Sequence, residues 1–521
     1  MASSANVSPS AAALFPKGEG DARGALYAPP LADLYQAVQS LRAEVVSSGA
    51  ATMALWKNSI HNERFRSGAE NLAQYLALRH HDLSRLQPCL SAYGLSSLGR
   101  SEARVLTALD ALLASLGRLS GLAAPEYPPL LLVSDGERAL REEQDHILGH
   151  DPEGAKSLIM VTLPTEAASD PELVRRLLTA GASCVRINCA HDDEKIWADM
   201  IGVVRSVAKE LSRDCRVLMD IAGPKCRIET VHGPEKIRLR RGETFSLVKE
   251  AHQIAGAAEI IATITFPEIL DGLTVGAEVS IDDGKIAARV VSIEPGAANL
   301  KVFRVPAKGA RLKLEKGVNF PNAELHLPPL GKDDLATLDF VAERADLIGF
   351  SFVQRPADVA LLDRELNSRR PGRPPQPIVL KIETRLAVQN LPQLIVEAAG
   401  RRPLAVMIAR GDLAVELGFG RLSEMQEEIL WLCDAAHVPV IWATQVLDSF
   451  VSDGAPTRAE ATDAAMSQRA ECVMLNKGPY LVEAVVFLKD VLKRMDRHQS
   501  KKSARFGPLN SWRDLAIMAR S

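Results

Sequence analysis

Leu158 to Asn188 reads LIMVTLPTEAASDPELVRRLLTAGASCVRIN and contains one complete strand, helix and strand. Its two ends, Leu158 to Thr162 and Cys184 to Asn188, are nearly continuous apolar runs, as expected for parallel strands covered on both faces. Between them Asp170 stands at a cap position and Pro171 at the first helical position. Leu173, Val174, Leu177 and Leu178 share one face, and Gly181 ends the pattern. The alternation continues through Val217 to Asp220, Leu347 to Phe352, Ile378 to Ile382, Leu404 to Ile408, Val438 to Trp442 and Cys472 to Leu475. Eight strands, each followed by a helical pattern, predict an α/β fold, a closed (β/α)8 TIM barrel.

One interval breaks the rhythm. About a hundred residues separate the third and fourth strands, with strand and turn signals in place of a helix: Lys236 to Arg240, Thr244 to Val248, Glu278 to Ile281, Ile286 to Ile293 and Lys301 to Val305. Asp283-Gly284 between two of these runs reads as a hairpin turn. The interval therefore predicts an inserted small β-barrel domain after the third strand, over the mouth of the larger barrel, where it can act as a lid.

Upstream, residues 30 to 120 keep a helical spacing. After Gly99, Ser101 is expected to cap a helix that places Val105, Leu106, Leu109, Leu112, Leu113 and Leu116 on one face and stops at Gly117. His80-His81 and the polar stretch Trp56 to Arg66 read as the surface of this all-α module. A Pro-rich run, Pro125 to Pro129, and the acidic stretch Ser134 to Asp151 read as a linker. The domain plan is a disordered terminus (1–28), a helical module (29–122), a linker (123–154), an N-terminal barrel segment (155–228), the lid (229–316), a C-terminal barrel segment (317–496) and a tail (497–521).

Composition narrows the function. The 521 residues carry 65 acidic and 62 basic side chains, a net charge of -3, with no long basic stretch, so nucleic acid is not the expected partner. No apolar run reaches the ~18 residues that span a bilayer. The seven cysteines are odd in number and scattered, without a CxxC pair, which suits reduced thiols and a cytoplasmic setting.

In a barrel, chemistry gathers at the C-terminal strand tips. There the chain places Arg186, Asn188, Asp220, Ser351, Lys381, Glu383, Arg410, Asp412 and Thr444. Arg186 and Asn188, like Lys381 and Glu383, are two apart on a strand and point the same way. Two carboxylates from neighbouring strands, Glu383 and Asp412, suit a divalent cation that keeps water and shares substrate oxygens, as magnesium prefers. Lys381 beside it can neutralise a transferring phosphoryl group or an enolate.

These residues, with others in the same order, resemble the pyruvate kinase family from about Lys156 to Met495. The motifs are Arg186-Ile187-Asn188 with His191, Asp220 with Gly223-Pro224 and Arg227, Ile281-Asp282-Asp283-Gly284, Lys316-Gly317-Val318-Asn319-Phe320-Pro321, Lys381-Ile382-Glu383, Ala409-Arg410-Gly411-Asp412-Leu413, Ala443-Thr444-Gln445 and Pro456-Thr457-Arg458-Ala459-Glu460 with Asp463. The resemblance implies magnesium, with manganese as an alternative, on Glu383 and Asp412. It implies phosphoryl and enolate stabilisation by Lys381, a phosphate clamp in Arg186, and proton delivery through Thr444. Ala409, Arg410, Gly411, Asp412, Thr444 and Ser351 would contact the substrate, phosphoenolpyruvate. Asn188, His191, Arg227 and Lys316 would meet the phosphates of ADP or ATP. Pyruvate would be the glycolytic product; the extra helical module, on which the resemblance is silent, could make a homo-oligomer or bind a regulator.

The chain also departs from the family. Where potassium-dependent members hold the ion with Asn, Ser and Asp, this chain keeps Asn188 and Asp220 but has Ala190, and Lys225 replaces a Glu. A fixed ammonium in that region, with Asn188 and Asp220, predicts activity without potassium. Ala222, Thr162-Leu163-Pro164 and the loop Met474 to Tyr480 also differ from the family pattern. With about twenty-five residues after the last barrel helix, the family's usual C-terminal effector domain is expected to be missing. Two other readings use the same tips: a magnesium-dependent, enolate-forming lyase, and a non-catalytic sensor of phosphoenolpyruvate or nucleotide.

Overall fold

The computed structural model describes residues 29–234, 238–250, 260–321, 327–501 and 503–504. Eight parallel strands close into a barrel: β1 (Leu158–Thr162), β2 (Cys184–Asn188), β3 (Arg216–Ile221), β4 (Leu347–Phe350), β5 (Ile378–Ile382), β6 (Leu404–Ala409), β7 (Val440–Ala443) and β8 (Cys472–Leu475). Each pairs with its sequence neighbours, and β1 closes the ring against β8. The helix after β1 spans Pro171–Ala180. Asp170 caps it by accepting from the Leu173 N–H at 3.0 Å, and Gly181 ends it at φ 126°.

The period of two along each strand decides what the barrel contains. Leu158, Met160, Cys184, Leu218, Leu347, Val379, Ala405, Met407, Ile441, Cys472 and Met474 form the buried interior. The alternate residues, among them Ile159, Val161, Val185, Ile187, Ile348 and Phe350, pack outward into the helical layer. Two residues beyond the interior members, the same parity brings Thr162, Arg186, Asp220 and Lys381 to the top of the barrel.

The insertion forms a mixed seven-stranded sheet in the spatial order Val318–Asn319, Glu278–Ile281, Ile286–Glu294, Ala297–Arg304, Thr244–Val248, Ile261–Ile264 and Ile228–His232. It has its own core, including Phe245, Leu247, Val279, Ile286, Leu300 and Phe320. Its first and last crossings pair with each other: the Ile228 N–H donates to the Lys316 carbonyl and the Val318 N–H to the Cys226 carbonyl. Of the expected strand Lys236 to Arg240, Lys236 and Ile237 lie outside the described residues, and Leu239 bridges Ala310.

The N-terminal module comprises α1 (Leu31–Trp56), α2 (Arg66–Arg79), α3 (Leu86–Ala92) and α4 (Val105–Ser120). Two local expectations are corrected there. Ser101 does not cap α4; its hydroxyl donates to the Leu98 carbonyl, and the turn Glu102–Arg104 precedes the helix. Gly117 does not end α4. It lies inside the helix, where a Cβ would sit 2.7 Å from Ala124 Cβ, and Gly121 at φ 71° is the terminator.

The stretch 123–154, expected as a linker, contains a 19-residue helix, α5 (Leu130–Leu148). Its buried residues include Leu140, Gln144, Ile147 and Leu148, a helical stripe. Ile147 and Leu148 join the barrel's interior cluster with Leu158 and Cys472, so α5 plugs the N-terminal end of the barrel. The module is joined to the barrel as well. Asn71 Nδ2 donates to the Glu102 and Ala435 carbonyls at 2.7 and 2.8 Å, and Asn71 Oδ1 accepts from the Val105 N–H. Residues 1–28, expected to be disordered, and 505–521 of the expected tail lie outside the described residues.

Candidate active site

Asp220, at the tip of β3, is the electrostatic centre of the strand ends. Its Oδ2 accepts from Arg186 Nε at 2.9 Å and Nη2 at 2.6 Å, and lies 3.2 Å from Lys381 Nζ. Asp220 is 1% exposed, so burial works to push its carboxyl up. The Lys381 ammonium and the Arg186 guanidinium outweigh burial and hold it below the ordinary value. Gly349 on the paired strand makes room, since a Cβ there would lie 2.6 Å from Asp220 Oδ1. Arg186 Nη1 also donates to Thr162 Oγ1 at 3.2 Å, a partner that sequence reasoning did not assign.

Lys381 is buried and held from three sides. Its Nζ donates to Ser351 Oγ at 2.8 Å and lies 3.2 Å from both Asp220 Oδ2 and Glu383 Oε1. Burial alone would lower its pKa, but Asp220 and Glu383 outweigh burial and raise it, so the ammonium stays charged. Ser351 in turn donates to the Ile221 carbonyl at 2.7 Å. Its hydroxyl orients Lys381 through these bonds.

Glu383 and Asp412 are brought into mutual range. Burial raises the Glu383 pKa, Lys381 opposes this, and Asp412 raises it further. Glu383 Oε2 accepts from the Phe352 N–H at 2.6 Å, with Phe352 at φ 56°. Asp412, in the first turn of the helix Arg410–Leu417, takes Lys225 Nζ on both oxygens, at 2.8 and 3.0 Å. Of the residues expected in the monovalent-cation region, Asn188 and Asp220 are register partners on β2 and β3, and Lys225, beyond the turn at Gly223 (φ 68°), binds Asp412. Among the described residues no cluster of three or more His, Cys, Asp or Glu side chains could hold a metal. The two carboxylates stand as a pair whose mutual repulsion a cation relieves.

At the next tips, Arg410 finds its partner in Asp463, a residue to which sequence reasoning gave no role. Its guanidinium makes a two-pronged pair with Asp463, donates to the Ala443 and Thr444 carbonyls, and stacks 4.8 Å from the Trp442 ring centroid. The side chain is committed to structure. Beside it the Gly411 N–H donates to Thr444 Oγ1 at 2.8 Å, with Thr444 at φ 63°. Ala409 ends β6 and is buried.

The expected nucleotide residues lie around the lid crossings and the loop after β2. Asn188 Oδ1 accepts from the Ala190 N–H at 3.2 Å. Burial lowers the His191 pKa, with Lys477, Arg227 and Arg186 acting in the same direction. Arg227 Nη1 donates to the Glu315 carbonyl at 2.8 Å, and Lys316 Nζ lies 2.8 Å from Asp282 Oδ1 in the lid hairpin. Lys477 gave no signal in the sequence because its loop departs from the family pattern.

Residues 155–485 match the family model described as pyruvate kinase, barrel domain. A pyruvate kinase of Agrobacterium vitis is 34% identical over 341 residues, covering 64% of this chain and 67% of that protein. One from Geobacillus stearothermophilus is 32% identical over 349 residues, covering 66% and 57%, and one from Methylorubrum extorquens is 33% identical over 338 residues, covering 64% and 67%. The chain thus spans 57 to 67% of the length of these relatives. With the barrel, the inserted sheet and the charged strand tips in place, the chain belongs to the pyruvate kinase family.

Proposed function

We propose that this chain transfers the phosphoryl group of phosphoenolpyruvate to ADP, giving pyruvate and ATP, in the cytoplasm and as a step of glycolysis. The observation that carries this reading is Lys381, buried yet charged, flanked by Arg186 on one side and by the Glu383 and Asp412 carboxylates on the other. Those carboxylates suit magnesium or manganese: they are hard oxygen donors on neighbouring tips, and Asp412 already holds a cationic group with both oxygens. When bound, the ion would supply charge neutralisation at the phosphoryl and enolate oxygens.

The protein groups divide the remaining work. Lys381 Nζ balances the charge that passes from phosphate to enolate, and its three anchors fix it in place before substrate arrives. Arg186 presents its guanidinium to the phosphoryl oxygens, sharing it with Asp220. The Arg410 backbone N–H seats the carboxylate, while Thr444 Oγ1, held by the Gly411 N–H, passes a proton to the enolate through water. Asn188, His191, Arg227 and Lys316 meet the nucleotide phosphates as the lid closes. No membrane or nucleic-acid partner is needed, and none of the helices among the described residues is long and apolar enough to cross a membrane.

Activity is expected without potassium, since Ala190 lacks the hydroxyl and Lys225 carries a tethered ammonium to the strand tips, where it pairs with Asp412. The test is pyruvate formation from phosphoenolpyruvate and ADP with magnesium, coupled to lactate dehydrogenase, in tetramethylammonium chloride and in potassium chloride. Equal rates are expected. A large potassium stimulation overturns the monovalent-ion reading, and no pyruvate in either salt overturns the activity.

A further inference from the structure

Lys225 is placed where two functions meet. Its ammonium holds both Asp412 oxygens, with the two side chains only 23% and 15% exposed. Nζ also lies 5.8 Å from the ring centroid of Phe352, whose N–H holds the other carboxylate, Glu383. At the same time Lys225 belongs to the outgoing lid crossing. The returning crossing passes directly over its stem: a Cβ on Gly317 would lie 2.9 Å from Lys225 Cε. A second link runs from the returning crossing, where Asn319 Nδ2 reaches Glu416 Oε1 at 3.5 Å, one helical turn beyond Asp412. Both crossings are therefore tied to the one short helix that carries Asp412.

We propose that Lys225 and the divalent cation compete for the Asp412 carboxylate, so that Lys225 sets the ion's affinity and the ion's arrival releases the lid crossing. The proposal rests on the assignment of the metal to Glu383 and Asp412. A carboxylate with both oxygens engaged by one ammonium offers a divalent ion only its outer lone pairs, and two cations about 4 Å apart in a poorly solvated cavity repel strongly. Binding of the ion then requires the ammonium to leave. With Lys225 displaced, a tie between lid and barrel helix is lost, and the crossing is free to move as nucleotide binds. Lys225 is thus a positioning residue, acting on the reaction through the metal ligand and the hinge.

The test is manganese binding to the full chain, followed by loss of the free-ion electron paramagnetic resonance signal, without phosphoenolpyruvate or ADP. K225M should bind Mn2+ about tenfold tighter than wild type, equivalent to one partly buried ion pair of about 1.4 kcal/mol. K225R, which keeps a cation at the position, should stay near wild type, and K225Q repeats the measurement if K225M folds poorly by circular dichroism. Mn2+ should also speed amide exchange at Ile228 and Val318 severalfold in wild type and leave K225M unchanged. Equal or weaker Mn2+ affinity in both K225M and K225Q overturns the competition, and unchanged exchange in wild type overturns the link to the lid. Binding that survives in D412N and in E383Q overturns instead the metal placement beneath it.

Discussion

Glu416→Gln should remove a pH dependence from the stability of this protein. Glu416 lies on the helix Arg410–Leu417, near Asp412, with Asn319 as its hydrogen-bond partner. Burial pushes its carboxyl from 4.5 up to about 7, the Asn319 amide opposing and Asp412 adding to the rise. A carboxyl whose folded pKa lies above its unfolded value stabilises the fold fully below pH 4.5 and loses that contribution as pH rises through 7. The full interval corresponds to about 3 kcal/mol at 1.4 kcal/mol per pH unit, reduced to about 2 kcal/mol by partial access of solvent. Glutamine keeps an acceptor for Asn319 and stays neutral throughout. Thermal unfolding of both proteins between pH 5 and 8 checks the sign: the variant should gain on wild type as pH rises, by about 3 °C at pH 8. Other titrating groups cancel in the difference. A difference that is flat across the range, or that shrinks with pH, refutes the raised carboxyl.

Two substitutions test the scaffold beneath the site. Asp463→Ala leaves the buried Arg410 guanidinium with carbonyl partners only, and should lower stability by about 2 kcal/mol, less than a fully buried pair because Asp463 is part-exposed. The same variant should reduce turnover by loosening the Gly411 to Thr444 bond; unchanged melting and turnover contradict that support. Leu148→Ala removes a fully buried side chain from the barrel plug and should cost about 3 kcal/mol in urea unfolding. A change under about 0.5 kcal/mol, the size expected of an exposed surface site, contradicts the plug.

Much of the site was legible because a strand carries its own ruler. Alternation fixes that whatever lies two residues beyond Met160, Cys184, Leu218 or Val379 faces the same cavity, so Thr162, Arg186, Asp220 and Lys381 fall on one side from the spacing alone. What the chain hid was non-local or ambiguous. Gly117 and Gly121 are both plausible helix ends, and only the approach of Ala124 shows that the first is a packing glycine. The helix α5 is masked by the charged run Asp135, Glu137, Arg138, Arg141 and Glu142, which reads as a linker; Glu137, Arg138 and Glu142 are exposed, and Arg141 turns in to the Ala155 and Lys156 carbonyls. Its inward stripe includes the polar Gln144, and its purpose, closing the barrel from below, exists only in three dimensions. The side-chain partner of Arg410 is hidden because Asp463 lies 53 residues away. The pairing of Lys225 with Asp412 is hidden for a similar reason, since spacing from Asp220 along the chain does not show the turn at Gly223 that carries it there.

The central claim is that the cluster around Lys381 moves a phosphoryl group from phosphoenolpyruvate to ADP. Phosphorus-31 nuclear magnetic resonance of the full chain with both substrates and magnesium reads that transfer directly, wild type beside Lys381→Met. In wild type the phosphoenolpyruvate signal should decay as the γ-phosphorus of ATP grows in equal amount, and in the variant both should stay unchanged. Transfer that persists in the Lys381→Met protein, or phosphoenolpyruvate left intact by wild type, contradicts the account.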